Sequence, residues 1–115
     1  MTVKEILEVL SLKVLAGANL LDKQVTGGYA SDMLSLVMAG AKAGNIWLTM
    51  QGHPNVAAVA SLLNLAAVVV TESSPVDPLT LQRAEENGVP VLTTPLDTFS
   101  TAARMAALGI RGTRD

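Results

Sequence analysis

The stretch that decides the fold runs from residue 56 to residue 70 and reads VAAVASLLNLAAVVV. Only Ser61 and Asn64 are polar in it, and Asn64 separates an alanine- and leucine-rich half from a half that ends in three valines. Alanine and leucine favour helix, whereas β-branched valine favours strand. The stretch is also shorter than the roughly 20 residues that a membrane-spanning helix needs. We therefore predict a buried helix that leads into a buried strand, and no membrane partner.

Similar helix–strand units recur on both sides of this stretch. Thr2 and Glu5 have the spacing of a capping box, and Asp77 before Pro78 is typical of another helix start. The predicted helices span about residues 2–10, 31–43, 54–64, 78–87 and 95–108, and the predicted strands span 12–15, 46–49, 66–71 and 90–93. Alternating strands and helices imply parallel crossovers. We predict an α/β fold, a three-layer α/β/α sandwich with a mostly parallel sheet of four to five strands, in one domain over residues 1–115.

Composition argues against several functional classes. The chain carries 8 Lys and Arg against 10 Asp and Glu, and the nearest approach to a basic patch is Arg111 with Arg114. Because nucleic-acid binding needs a basic face, we predict no nucleic-acid partner. The absence of cysteine removes disulfides and thiolate ligands, and we predict neither a metal nor a cofactor. Residues 1–5 read MTVKE, without the apolar core of a signal peptide, which favours a cytoplasmic location.

Hydroxyl-bearing residues stand where predicted strands end. Thr49, Thr71 and Thr94 each close a strand, and Thr26-Gly27-Gly28 lies in the loop after the first one. Carboxyl ends of parallel strands share one edge of a sheet, and helix amino termini that attract anions converge there. This edge is predicted to bind a small anionic or nucleotide-like ligand. The candidate ligand-binding residues are Thr26, Gly27, Gly28, Asp32, Thr49, His53, Asn55, Thr71 and Thr94, with Ser73 at the same edge. The alternative is that these residues are ordinary helix caps and turn formers.

No complete catalytic motif is present, and we predict no catalytic residue. The sequence contains no Walker A, G-x-G-x-x-G, G-x-S-x-G or H-E-x-x-H pattern. The one histidine, His53, could contact a phosphate or donate a proton, but we favour a helix-capping or loop-ordering role. A cryptic phosphotransferase or hydrolase, with His53 as acid or base and Asp32 or Glu72 assisting, is the remaining enzymatic alternative. We therefore predict a binding or regulatory protein, with a pure interaction scaffold as the alternative without a ligand.

Two predicted helices are apolar on nearly all sides. They cover residues 31–43 and 55–63 and contain few polar residues. A helix that is apolar all round needs burial on more than one side, and one small domain offers each helix a single sheet face. We therefore predict a homodimer that pairs through these helices. The alternative is that small alanines tolerate exposure.

The order of several sequence blocks resembles the DRTGG domain family. Residues 25–35 read VTGGYASDMLS, and further similar blocks are IWLT at 46–49, AVVVTE at 67–72, AEENGVPVL at 84–92 and DTF at 97–99. Gln24 and Val25 stand where the family's name has Asp and Arg, whereas Thr26, Gly27 and Gly28 match. We expect the two glycines to permit positive φ and close backbone approach before a helix.

The resemblance implies a regulatory or dimerising accessory. Domains of this family are similar to the N-terminal domain of HPr kinase/phosphorylase. They also occur beside CBS-domain pairs in pyrophosphatases and within some phosphate acetyltransferases, where another domain carries out the chemistry. A serine kinase label would be unsupported here, because no P-loop is present. The resemblance implies that this chain acts on a partner enzyme in trans.

Overall fold

A five-stranded sheet lies at the centre of the molecule, which we describe from a computed structural model over residues 1–114. The helices are α1 (Val3–Leu10), α2 (Leu34–Gly40), α3 (Asn55–Leu62), α4 (Pro78–Asn87) and α5 (Thr98–Ala107). The strands are β1 (Lys13–Ala16), β2 (Gly27–Ala30), β3 (Asn45–Thr49), β4 (Ala67–Val70) and β5 (Val91–Thr93). Their order is β1-β5-β4-β3-β2, and only β1 runs antiparallel to its neighbour. The predicted α/β fold and mostly parallel sheet are confirmed.

Two apolar layers cover the sheet, one on each face. Trp47 and Val68 point towards the layer of α2, α3 and α4, whereas Ile46 and Val69 point towards the layer of α1 and α5. Successive strand residues face opposite sides of a sheet, and both faces are buried, so β3 and β4 are buried along their whole length. The predicted three layers follow from this arrangement. Along residues 1–114, no helix is both long and apolar enough to cross a bilayer.

Local sequence signals set several helix ends. The Thr2–Glu5 capping box forms at the start of α1 as predicted, and the Asp77 carboxylate caps α4 with Pro78 in its first turn. The last helix begins later than predicted, because the Asp97 side chain caps it by accepting from the Ser100 amide. Pro95 therefore lies in the preceding loop, outside the helix.

Helix α2 is shorter than the predicted helix over residues 31–43. Ser31 still belongs to the end of the sheet, since its amide donates to the Leu48 carbonyl oxygen. At the other end, Ala41 is extended, with φ −74° and ψ 149°. Gly44 has a positive φ of 81°, but it occupies the turn into β3, where its amide donates to the Asn64 carbonyl. Pairing of Ser31 with β3 thus delays the start of this helix, and the extended Ala41 ends it early.

The predicted loop Thr26-Gly27-Gly28 is a strand over most of its length. Gly27 and Gly28 begin β2 and pair with Asn45 and Ile46 of β3. On the outer side of β2, residues 110–113 run alongside it, with the Gly28 amide donating to the Arg111 carbonyl at 2.8 Å. We call residues 110–113 the C-terminal strap. Neither glycine has positive φ, so the conformational half of their predicted role is wrong.

Candidate functional site

The carboxyl edge of the parallel strands brings three of the predicted threonines to one end of the sheet. Thr49 is fully buried, and its hydroxyl donates to Asp32 Oδ1 at 2.8 Å while accepting from the Gln51 amide at 3.1 Å. The same Asp32 oxygen accepts from the Met50 amide at 2.7 Å. Asp32 therefore ties the end of β2 to the end of β3.

The other two threonines are also buried and hydrogen-bonded. The Thr71 hydroxyl lies 2.6 Å from the Thr98 hydroxyl, which joins the end of β4 to the first turn of α5. The Thr94 hydroxyl accepts from the Leu96 amide at 3.2 Å and so orders the loop before α5. Each of these three hydroxyls is thus hydrogen-bonded within a loop or to the start of a helix at this edge of the sheet.

An open groove at this edge lies beside the amino termini of α3 and α4. Its volume is about 570 Å³, and its lining includes Met50, Gly52, His53, Ser74 and Asp77. His53 is exposed, and its Nδ1 accepts from the Asn55 amide at 3.1 Å, which is the loop-ordering role favoured from sequence. When an imidazole accepts at Nδ1 and is neutral, its proton is on Nε2. The groove therefore offers one imidazole N–H donor next to the amino terminus of α3, where negative charge is favoured, whereas the Asp77 carboxylate already caps the amino terminus of α4.

The loop after β4 has a backbone feature that sequence reasoning missed. Glu72 and Ser73 both adopt left-handed conformations, with φ 61° and 51°. Their amides donate to the Leu96 and Thr94 carbonyls. Residues other than glycine are uncommon in this region, and nothing in their sequence signals it. Predicted site residue Ser73 is exposed on this corner.

Thr26, Gly27 and Gly28 lie at the opposite end of the sheet, so their predicted place at the carboxyl edge is wrong. Because β2 runs parallel to β3, its first residues pair with the first residues of β3. The Thr26 hydroxyl donates to the Ala43 carbonyl and accepts from the Asn45 amide group. This segment was predicted to be the loop after the first strand, because two adjacent glycines have low strand propensity, whereas Gly27 and Gly28 begin β2.

A separate apolar groove lies between α2 and α3. It measures about 330 Å³ and is lined by Leu34, Met38, Asn55, Ala58, Val59 and Leu62, which we call the α2–α3 surface. Leu62 is 70% exposed and Met38 is 48% exposed. Outside this lining, Met33 and Leu36 are 58% and 52% exposed. Residues 33–41 and 54–71 contain no charged side chain.

Two exposed carboxylates have shifted acidities. The Ser100 backbone amide and hydroxyl hold the pKa of Asp97 below its ordinary value of 3.8. Hydrogen bonds from the Thr2 backbone and hydroxyl likewise lower the pKa of Glu5. Both shifts arise from helix capping. Among residues 1–114, no three His, Asp or Glu side chains are grouped so that they could hold a metal ion.

Comparison with known proteins identifies a domain family and a structural neighbour of this chain. A family model described as the DRTGG domain matches residues 5–108. The structure of the CBS and DRTGG domains of the regulatory region of Clostridium perfringens pyrophosphatase, complexed with the activator diadenosine tetraphosphate, superposes with a TM-score of 0.68 at 19% identity. The superposition covers 89% of this chain and 44% of that one. Among curated proteins, no sequence matches this chain.

Proposed function

Because this chain belongs to the DRTGG domain family, we propose that it is a regulatory domain without catalytic activity of its own. In this proposal residues 1–115 form one cytoplasmic domain that dimerises through the α2–α3 surface. It binds a small anionic ligand in the groove beside His53 and acts on a partner enzyme in trans. The structural neighbour supports the regulatory part, since that protein's DRTGG domain lies in a regulatory region.

The observation that carries the proposal is the α2–α3 surface. Leu62 and Met38 expose large apolar side chains on adjacent helices, and Ala58 leaves a groove between them. Monomeric proteins rarely expose contiguous apolar patches of this kind. A second copy suits the surface, because a two-fold interface brings each patch onto itself and no charge at 33–41 or 54–71 opposes the pairing.

Light scattering on a sizing column tests the dimer. We expect a mass about twice the 11.9 kDa of the chain. Leu62→Glu should give a folded monomer, because it places a charge in the interface without disturbing the core. Val9→Glu is the matched control, since Val9 is 61% exposed on α1, in the opposite layer. A wild-type monomer at high micromolar concentration, or a dimer that survives Leu62→Glu, would contradict the proposal.

A thermal-shift panel of inorganic phosphate, nucleotides and sugar phosphates tests the ligand. A ligand that binds the native state raises the melting temperature. His53→Asn should abolish the shift, because the shorter Asn side chain can still accept the Asn55 amide but has no donor at the position of Nε2. Asn19→Ala, at an exposed position outside the groove lining, should leave the shift intact. If no compound raises the melting temperature at millimolar concentration, the proposed ligand site is wrong, whereas the proposed dimer is unaffected.

A pure interaction scaffold is the second candidate, and the partnered threonines favour it. Thr49 and Thr71 are fully buried with their hydroxyls already bonded, as expected if they only support the loops. Thr49→Val and Thr71→Val should then lower stability while leaving dimer assembly unchanged. Loss of assembly with a retained fold would count against the scaffold.

A further inference from the structure

A cavity of about 300 Å³ lies in the α1–α5 layer, away from both surfaces described above. We call it the β2–α5 cavity. Its walls are mostly apolar: Gly28, Ala30 and Leu48 come from the sheet, and Ala102, Met105 and Ala106 come from α5, while Arg111 of the C-terminal strap is the one charged residue in the lining. The C-terminal strap contributes Ile110 and closes one side. A volume near 300 Å³ lies at the lower end of the range for small-molecule pockets.

The cavity exists because small residues face each other across it. Tyr29 points to the other face of the sheet, where its hydroxyl donates to the Leu36 carbonyl. Gly28 and Ala30 therefore provide the inner wall, with one methyl group between them. On α5, Ala102 and Ala106 are one turn apart and present two more methyl groups. Larger aliphatic side chains at these positions would fill the space.

One wall of this apolar cavity carries an unpaired hydrogen-bonding edge. The Ser31 amide donates inward to Leu48, whereas the Gly28 amide donates outward to Arg111. Successive residues of a strand direct their backbone groups to opposite sides, so the N–H and C=O of Ala30 point outward, like those of Gly28. Residues 113 and 114 form a turn, and within residues 1–114 no group pairs with the backbone of Ala30, which is exposed. Ala30 thus offers a donor and an acceptor side by side.

We propose that the β2–α5 cavity binds a flat, uncharged heteroaromatic ring with adjacent donor and acceptor groups, the chemistry of a nucleobase. The ring packs among the methyl groups of α5, and its polar edge meets the backbone of Ala30. This site goes beyond the proposed function, since it lies apart from the His53 groove and needs no anion. Because Ile110 lines the cavity, an occupant also holds the strap against β2.

Uncharged probes keep this site distinct from the anion groove. Adenine and uracil should give saturable chemical-shift changes at Ala30 and Met105, and benzene, which lacks the polar edge, should bind more weakly. Either base should slow hydrogen exchange of the Gly28 amide at least tenfold, since that amide bonds to the strap. His53→Asn should leave base binding unchanged.

Replacing either of two alanines on α5 with leucine tests whether the base binds in the β2–α5 cavity. Ala106→Leu fills the cavity and should abolish base binding. Ala103→Leu, at an exposed position outside the lining, should retain it, and circular dichroism should show both variants folded. The proposal is overturned if neither base binds at millimolar concentration, if benzene binds as tightly as the bases, or if Ala106→Leu binds like the wild type.

Discussion

Two adjacent glycines at the start of β2 let the C-terminal strap approach the sheet. A Cβ at Gly27 would lie 2.9 Å from the Arg111 carbonyl oxygen and 3.2 Å from Asn45 Nδ2. A Cβ at Gly28 would lie 3.4 Å from the Ile110 side chain and 3.9 Å from Ile46, which is ordinary van der Waals contact. The first contact is with backbone and a buried amide, whereas the second is with a flexible side chain. The two glycines therefore differ in how strictly they are required.

We predict that Gly27→Ala is the more damaging substitution. It should lower the free energy of unfolding by about 1–3 kcal/mol, because the strap must shift. Gly28→Ala should stay within about 1 kcal/mol of the wild type, since alanine also reduces the entropy of the unfolded chain. Urea denaturation measures both values. Equal losses, or a larger loss for Gly28→Ala, would show that the strap does not impose this constraint.

The Asp32 carboxylate gives a second prediction at a single residue. Asp32→Ala leaves the buried Thr49 hydroxyl and the Met50 amide without their acceptor, which should cost about 1–3 kcal/mol of unfolding free energy. Asp32→Asn keeps an acceptor oxygen and should recover most of the loss. Asp22→Ala, at another exposed aspartate, is the control. If Asp32→Ala were as stable as the control, the Asp32 carboxylate would not be needed for stability and would be available to bind a ligand.

At the level of helices and strands, capping carboxylates make stability depend on pH. The pKa of Asp97 is lowered in the folded protein from an ordinary value of 3.8, so the unfolded chain binds this proton first. The cap therefore stabilises the fold above about that pH and is lost as the pH falls through the folded value. The pKa of Glu5 is likewise lowered from its ordinary value of 4.5 in the folded protein, so its cap also stabilises the fold less as the pH falls.

We predict that Asp97→Asn is less stable than the wild type near neutral pH. The difference between their free energies of unfolding should become smaller as the pH is lowered. The Asn side chain accepts the Ser100 amide without a charge, so it does not titrate. Urea midpoints measured from about pH 7 to about pH 3 check this. Asp22→Asn should not show the same narrowing. A gap that stays constant with pH would mean that the Asp97 charge does not contribute.

The helices and strands also show which elements could be predicted from local sequence alone. The Thr2–Glu5 box and the Asp77-Pro78 pair were predicted correctly, because each depends on residues within one turn. Strand β2 was missed, since Gly27-Gly28 has low strand propensity and pairs only through its neighbours in space. The antiparallel direction of β1 depends on its contact with β5, far along the chain.

Across the whole molecule, the strand order places residues that were predicted to form one ligand site at two different ends of the sheet. The predicted ligand residues divide between two ends of the sheet, with Thr49, Thr71 and Thr94 at one end and Thr26 at the other. The division follows from β2 pairing in parallel with β3 at the sheet edge. His53 and Asp32 both lie at the carboxyl edge, since each follows the end of a parallel strand, β3 and β2 respectively. Burial of the threonine hydroxyls depends on side-chain packing across loops, which local sequence does not encode.

Dimerisation gives the whole molecule a concentration-dependent stability. If the native state is a dimer through the α2–α3 surface and unfolding releases two chains, mass action stabilises the dimer as protein concentration rises. A tenfold rise changes the unfolding free energy by about 1.4 kcal/mol, which for two chains of this length corresponds to an increase of about 3 °C in melting temperature.

We predict this shift for the wild type and for Val9→Glu, measured by calorimetry over two decades of concentration. Leu62→Glu should melt at one temperature throughout, because its monomer unfolds without a change in the number of chains. Its circular dichroism spectrum should match that of the wild type, since Leu62 is 70% exposed and lies outside the core. If the wild-type melting temperature does not depend on protein concentration, the exposed leucine and methionines of α2 and α3 do not join two native chains.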